Sequence, residues 1–376
     1  MAINEPKNIG LALSGGGIRA MVFHLGLFKW LAEMNLLEQV RKISSVSGAS
    51  LCVGMIYAHN NLAWPSSQVF LTKTLPSIEE TLKVNLQMYA IARWLFSPRH
   101  WNKRVNIIAK VLENRWGVHG NLQQLTGDVI WIVNCTTYET GKRFHFCQND
   151  MGDHVTGYVN KPNFLISEAM AASAGFPLLI GPYALRTDDF TWTPSIYAKE
   201  DWQPPGKQTI HLWDGGVYDN LGLESIYKLQ DNGTLDEDLE FLIVSNASSP
   251  LTQQDRPRIR LHKNLSRILD ISMSQVAAVR TRSVMDFIIR TQKGMYLKIG
   301  NTADYIASQG NKDSKAIQSQ LTEHCLSAEQ VNKAMNHKTT LWKPSASEYQ
   351  LLLRHGYEVA NCTYQRYFGE QSTEQI

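Results

Sequence analysis

A three-layer α/β/α fold around a mainly parallel central sheet, carrying a helical insertion, follows from three observations in this 376-residue chain. The first is a strand–turn–helix unit that occurs twice near the N-terminus. Ile9–Leu13 is a short apolar run ending in glycines, and Ile18–Leu37 then sets Val22, Leu25, Leu31 and Met34 at helical spacing. Lys42–Val46 starts the second unit, turning through SGAS into a helix at Leu51–Ala58. Two such units in succession are the mark of a parallel sheet, because each crossover helix returns the chain to the end where the strand began. The second observation is a hairpin within Gly127–Cys147, where VIWIVNCTTY and RFHFC flank a turn at ETGK. The third is LEFLIVSNAS at 239–248, a further buried strand.

The remaining elements are helical. Between the first units and the hairpin, at about 62–122, Ser77 and Glu80 form a capping box for a helix bearing Ile78, Leu82, Leu86 and Tyr89. Further helices are expected over Asn264–Ile289 and Ser347–Phe368. With no repeat, low-complexity tract or linker, residues 1–376 read as a single domain with that insertion and a C-terminal helical region at about 260–376.

Composition narrows the function. The chain is 43% hydrophobic and 19% charged, as globular proteins are, and its net charge of +3 gives no global field for nucleic acid. Its five cysteines are scattered and include no CxxC pair, so neither a disulfide framework nor a metal site is expected, and no cofactor either. The N-terminus has no basic start and apolar core of a secretion signal. The uncharged stretches Ser44–Thr72 and Ala169–Leu185 are broken by Pro, Gly, Ser or Asn, so no spanning helix is predicted. A cytoplasmic protein is expected, one that meets a membrane only from its surface.

ISSVSGAS, residues 43–50, contains four serines. Serine becomes a nucleophile only when a base takes its proton and donors await the oxyanion. A sharp strand-to-helix turn supplies part of this, and it needs small residues two before and two after the nucleophile. Ser47, between Ser45 and Ala49, meets that test; Ser44 and Ser45 fall in the strand and Ser50 in the helix. SVSGA departs from G-x-S-x-G at both glycine positions, and by itself it reads as an ordinary serine-rich turn.

Two further segments bear on the choice. SGGGIRA, Ser14–Ala20, leaves glycine amides bare at the preceding strand–helix junction, an anion cradle beside the next strand. WDGGVYDNLG, Trp213–Gly222, carries Asp214 into a glycine turn, which alone is no more than an Asp-Gly turn.

GGGIRA, SVSGA and DGG, in this order, resemble the G-G-G-x-R-[GA], G-x-S-x-G and D-G-[GA] motifs of the patatin-like phospholipases. SEAMAASAGFPLLIGP (167–182) resembles the family's A-x-x-A-S-x-x-x-P segment, and TTYETGKRFHF its hairpin with a T-G turn. The resemblance spans about Ile9 to Leu223. It implies a lipid acyl hydrolase that cleaves fatty-acyl esters of phospholipids or lysophospholipids. Ser47 would then be the nucleophile and Asp214 the base of a Ser–Asp dyad. Gly15, Gly16, Gly17 and Gly48 would furnish the oxyanion hole, and Arg19 would support the loop or meet a phosphate. An ordinary Asp, with pKa about 3.9, is a poor base for a hydroxyl, so desolvation must raise it.

Three rivals stand beside this reading. Gly15, Gly17 and Ala20 also fit a dinucleotide fingerprint, but the second strand ends in serines where an acid is required. A Ser–His–Asp esterase would recruit His262, His324, His337 or His355, none in a recognisable catalytic loop, while His24 and His211 lie nearest the cradle and Asp214 in the chain. A catalytically silent relative would have no need of the intact serine, aspartate and glycine set. RWLFSPRHWNKR, residues 93–104, interleaves Trp94, Phe96 and Trp101 with basic residues, and serves equally as a membrane contact or as a helix end with aromatics turned inward.

Overall fold

A computed structural model describes residues 6–95, 104–176, 181–206, 208–229, 233–251, 253, 261–309 and 325–369. Residues 96–103 of the aromatic–basic stretch fall outside that set, as do the side chains of the whole stretch, residues 177–180 of the small-residue segment and His324.

Ten strands form the central sheet: β1 (Ile9–Leu13), β2 (Val40–Val46), β3 (Ile130–Thr137), β4 (Arg143–Phe146), β5 (Asp150–Asp153), β6 (Gly157–Asn160), β7 (Tyr183–Arg186), β8 (Thr209–Asp214), β9 (Phe241–Asn246) and β10 (Gly294–Lys298). The order is β10-β9-β1-β2-β3-β4-β5-β6, with the first five parallel and the hairpin strands antiparallel. β8 pairs antiparallel with β3 and carries β7 on its far side.

Helices α1 (Gly17–Glu33), α2 (Gly48–Ala58), α3 (Ile166–Ser173), α4 (Gly216–Asp219), α5 (Leu261–Thr291), α6 (Ala328–Met335) and α7 (Ala346–Phe368) surround it. The two faces of β1 show why there are three layers. Ile9, Leu11 and Leu13 join the core under α1, α2 and α7, while Ala12 joins a second core with Val284 and Phe287 of α5. Apolar residues on both faces must be covered on both faces.

The helical insertion differs from the expected capping box. Ser66, eleven residues upstream of Ser77, caps the helix by accepting from the Val69 amide at 3.3 Å. The chain is helical from Ser67 to Thr81 through a π turn at Phe70–Thr74. Ser77 is therefore interior, its hydroxyl donating to the Lys73 carbonyl at 2.8 Å. Leu86 and Tyr89 belong to the next helix, Leu86–Leu95. The earlier cap takes the helix start, since an orphan amide is satisfied wherever the first suitable oxygen stands. At the C-terminus Ser345 and Glu348 do form a capping box, and α7 starts there.

α7 lies directly on α1 through a glycine pair. A β-carbon on Gly356 would overlap the Phe23 carbonyl, and one on Gly26 the Leu353 carbonyl. Helix propensity favours alanine over glycine by about 1 kcal/mol, whereas overpacking costs about 1–3 kcal/mol. We expect Gly356→Ala to lower the urea midpoint, because the colliding atoms are backbone and cannot swing aside. A raised midpoint would mean that the crossing is loose and that propensity wins.

Candidate active site

β2 and β8 meet end to end along one side of β3. Val46, the last residue of β2, pairs with Asn134, and Asp214, the last of β8, pairs with Cys135. Consecutive residues of β3 thus bring together two segments far apart in the chain. Ser47 turns out of β2 at φ 54° and ψ −118°, a conformation that costs a non-glycine residue of order 1–3 kcal/mol and is held only by its surroundings.

Ser173, at the C-terminal end of α3, does the holding. Its Oγ accepts the Ser47 amide at 2.9 Å and donates to the Asn134 carbonyl at 2.7 Å. With that proton committed, Ser50 must donate to Ser173 (2.9 Å) and Ser45 to Ser50 (2.9 Å), while Ser45 accepts from Trp131 Nε1 at 2.8 Å. Ser44 accepts from Asn134 Nδ2 at 2.8 Å. Three of the four serines are therefore fully buried scaffold, and Ser47 alone keeps accessible surface, 9%. Sequence reading missed Ser173 and Asn134 as members of this network. The small-residue segment 167–182 was the available signal for Ser173, since tight helix packing needs small side chains there.

The Ser47 hydroxyl lies near enough to the Asp214 carboxylate to favour its charged form. The Gly216 amide donates to Asp214 Oδ1 at 2.8 Å. The carboxylate is buried, and its desolvation pushes the pKa up to about 6 against the opposing pull of those two groups. Asp219, five residues on, is tied up elsewhere: it accepts the amides of Leu221 and Glu224 and lies 3.5 Å from Arg280 Nε.

The glycine loop lies against this pair. Gly16 (φ 147°) and Gly17 (φ 63°) adopt backbone angles that side chains disfavour. A β-carbon on Gly48 would overlap the Gly17 carbonyl, so the loop and the start of α2 touch through their backbones. Among the described residues, nothing accepts from the amides of Gly16, Gly17 or Gly48. Gly15 differs from the expectation. Its amide donates to the Asn220 carbonyl at 3.1 Å and is spent, and the residue instead permits close approach, since a β-carbon there would stand 3.0 Å from Ser47 Cβ.

Arg19 supports the loop. It is buried, donating from Nε to the Ala247 carbonyl (3.1 Å) and from Nη1 to the His337 carbonyl (2.6 Å) and Thr339 Oγ1 (3.0 Å). His24 is buried and neutral, its pKa lowered to about 4 by desolvation. Its Nε2 faces the Ser14 carbonyl at 2.9 Å and so carries the proton, leaving Nδ1 to accept from Ser245 at 3.0 Å. His211 pairs with Glu139, His355 accepts from the Gly300 amide, and the His337 ring faces Glu348. No described histidine ring reaches Ser47 or Asp214; the side chain of His262 lies outside the described set. One cluster escaped the sequence reading altogether: His145, Cys147 and Asp150 bring ligand-type atoms within 4.8 Å, and they are already hydrogen-bonded to one another.

A strained serine against a desolvated carboxylate, under bare backbone amides, is an arrangement able to attack an acyl carbon. The model of the patatin-like phospholipase family matches residues 11–227, more than half of the chain, and the chain belongs to that family. Among solved structures, human GIVD cytosolic phospholipase A2 is similar at 13% identity and a TM-score of 0.52, over 96% of this chain and 59% of its own. VipD from Legionella pneumophila is similar at 12% identity and a TM-score of 0.37, over 94% of this chain and 68% of its own. This chain thus spans about three fifths of the human protein's length, and the likeness is one of fold. No curated protein matches it.

The raised Asp214 pKa makes a stability prediction. Below about pH 3.9 the folded and unfolded states are both protonated and the group contributes nothing. Between there and about 6 the folded state keeps its proton longer, so stability falls as pH rises, by up to about 3 kcal/mol once both states are ionised. Asp214→Asn removes this cost. It should raise the urea midpoint at about pH 8 and raise it much less at about pH 4.5. An equal gain at both, or a loss at the higher pH, would show that the carboxylate is not desolvated.

Proposed function

We propose that the protein is a serine hydrolase that cleaves fatty-acyl esters of phospholipids or lysophospholipids through a Ser47–Asp214 dyad. The observation that supports the reading is the end-to-end junction on β3, which brings a buried carboxylate close to a strained serine. Desolvation addresses the weakness of aspartate as a base, since a carboxyl at about 6 accepts a proton far more readily than one near its ordinary value of about 3.9.

In this mechanism Ser47 Oγ attacks the ester carbonyl carbon while its proton passes to Asp214. The carbonyl oxygen becomes an oxyanion and is met by the free amides of Gly16, Gly17 and Gly48, with Gly15 left out because its amide is already used. The C–O bond to the alcohol breaks, and the proton on Asp214 goes to the departing oxygen. Water then gives a proton to Asp214 and its oxygen to the acyl carbon, and the serine leaves with that proton. Arg19 acts here as loop support, since its guanidinium is enclosed among carbonyl and hydroxyl acceptors. No described helix is long and apolar enough to cross a membrane, so a bilayer substrate would be approached from the aqueous side. The five scattered cysteines, without a CxxC pair, fit a reducing cytoplasm.

A fluorophosphonate probe should label the wild type and fail to label Ser47→Ala. Asp214→Asn should lose at least about 100-fold in ester hydrolysis, the lower end of general-base effects. The rate should fall as pH drops through about 6, because protonated Asp214 cannot accept the serine proton. Single alanine variants of His24, His211, His262, His324, His337 and His355 should each retain appreciable hydrolysis. A folded histidine variant as inactive as Ser47→Ala would replace the dyad with a triad.

A further inference from the structure

The chain between α6 and α7 crosses the catalytic end of the sheet. Thr340 O accepts the Ile18 amide at the start of α1 (2.9 Å), Arg19 grips the His337 carbonyl and Thr339 hydroxyl, and the Leu341 amide donates to Gln87 Oε1 at 3.0 Å. These inward anchors leave Lys338, Trp342 and Lys343 facing out, with Trp342 43% exposed. Lys333, from the last turn of α6, joins them around a cavity of about 520 Å³ whose floor includes Leu351 and Leu352. Among the described residues the only carboxylate lining it is Glu348, which is engaged with Ser345 at the start of α7 and lies 3.7 Å from His337 Nε2. Lys333 is near enough to Glu348 to help hold that carboxyl below its usual range, and no carboxylate among the described residues lies within salt-bridge distance of Lys338 or Lys343.

We infer that this strap is a docking surface for the phosphate headgroups of an anionic phospholipid bilayer. Three exposed ammonium groups around a concave opening match a layer of phosphates in charge, and an exposed tryptophan beside them suits the boundary between headgroup and acyl chain. Position supports the assignment. The strap packs on the N-terminus of α1, which begins at Gly17, and the neighbouring Gly15 touches Ser47, so a bilayer held here would present its esters to the glycine loop. The inference rests on the hydrolase reading for its meaning, but binding itself can be measured without hydrolysis.

Full-length Ser47→Ala protein is sedimented with phosphatidylcholine vesicles, with and without phosphatidylglycerol. Binding is expected to need phosphatidylglycerol. Each lysine near an anionic surface is worth about fivefold, so the added replacement of Lys333, Lys338 and Lys343 by alanine should weaken binding on the order of 100-fold. Replacement by arginine should preserve it, and Trp342→Ala should weaken it at every phosphatidylglycerol content that supports binding. Three results would overturn the proposal: the triple alanine variant binding within about twofold of its parent, the arginine variant losing binding as fully as the alanine one, or inorganic phosphate displacing vesicles better than chloride at equal ionic strength, which would mark a site for a free anion. Residual hydrolysis by Ser47→Ala would sink the catalytic assignment and leave the vesicle result standing.

Discussion

The backbone of Gly17 lies against the α-carbon of Gly48, with no room for a side chain between them, and the geometry of the site depends on that contact. It joins the two strand–helix junctions of the parallel sheet. Each junction exposes amides that have no helical acceptor, since a helix leaves its first N–H groups unmatched. Placed back to back, the two junctions bring their backbones into direct contact. A methyl group on Gly48 would force the loop away and dissolve the arrangement.

Such a concentration of bare donors and backbone strain has to be supported, and the support is polar and buried. A directional chain of hydroxyls from Trp131 through Ser45 and Ser50 to Ser173 ends on the Asn134 carbonyl, and Ser173 takes the Ser47 amide on the way. On the other side, Arg19 and His24 brace the glycine loop. Burial lowers the Arg19 pKa to about 10, and its partners are neutral oxygens rather than a carboxylate. The loop is therefore held by a cation that stays ionised at physiological pH and an imidazole that stays neutral, so neither brace changes state where Asp214 titrates.

The C-terminal region is part of this support although it lies outside the stretch matched by the family model. α7 presses on α1 through the Gly26–Gly356 crossing, and the strap before it supplies the Thr340 carbonyl that receives the Ile18 amide. The first turn of α1 is thus satisfied from the far end of the chain.

The sequence by itself determined the local elements and their chemistry. Alternating strand and helix signals marked the parallel units, small neighbours singled out Ser47 among four serines, and glycine runs located amides without side chains. These properties are local, because each depends on residues within one turn or one strand. The ends of helices were less legible: Ser66 and Ser77 both look like caps, and only the packed helix decides between them. What tertiary structure alone decided was proximity. Nothing near Ser47 or Asp214 in the chain reports that they abut neighbouring residues of β3, or that Asp219 is claimed by Arg280 from α5. The pKa of Asp214 is likewise a property of what surrounds it, and so is the spent amide of Gly15. Strand register, burial and hydrogen-bond partners are relations between distant segments, and they exist only once the sheet has closed around them.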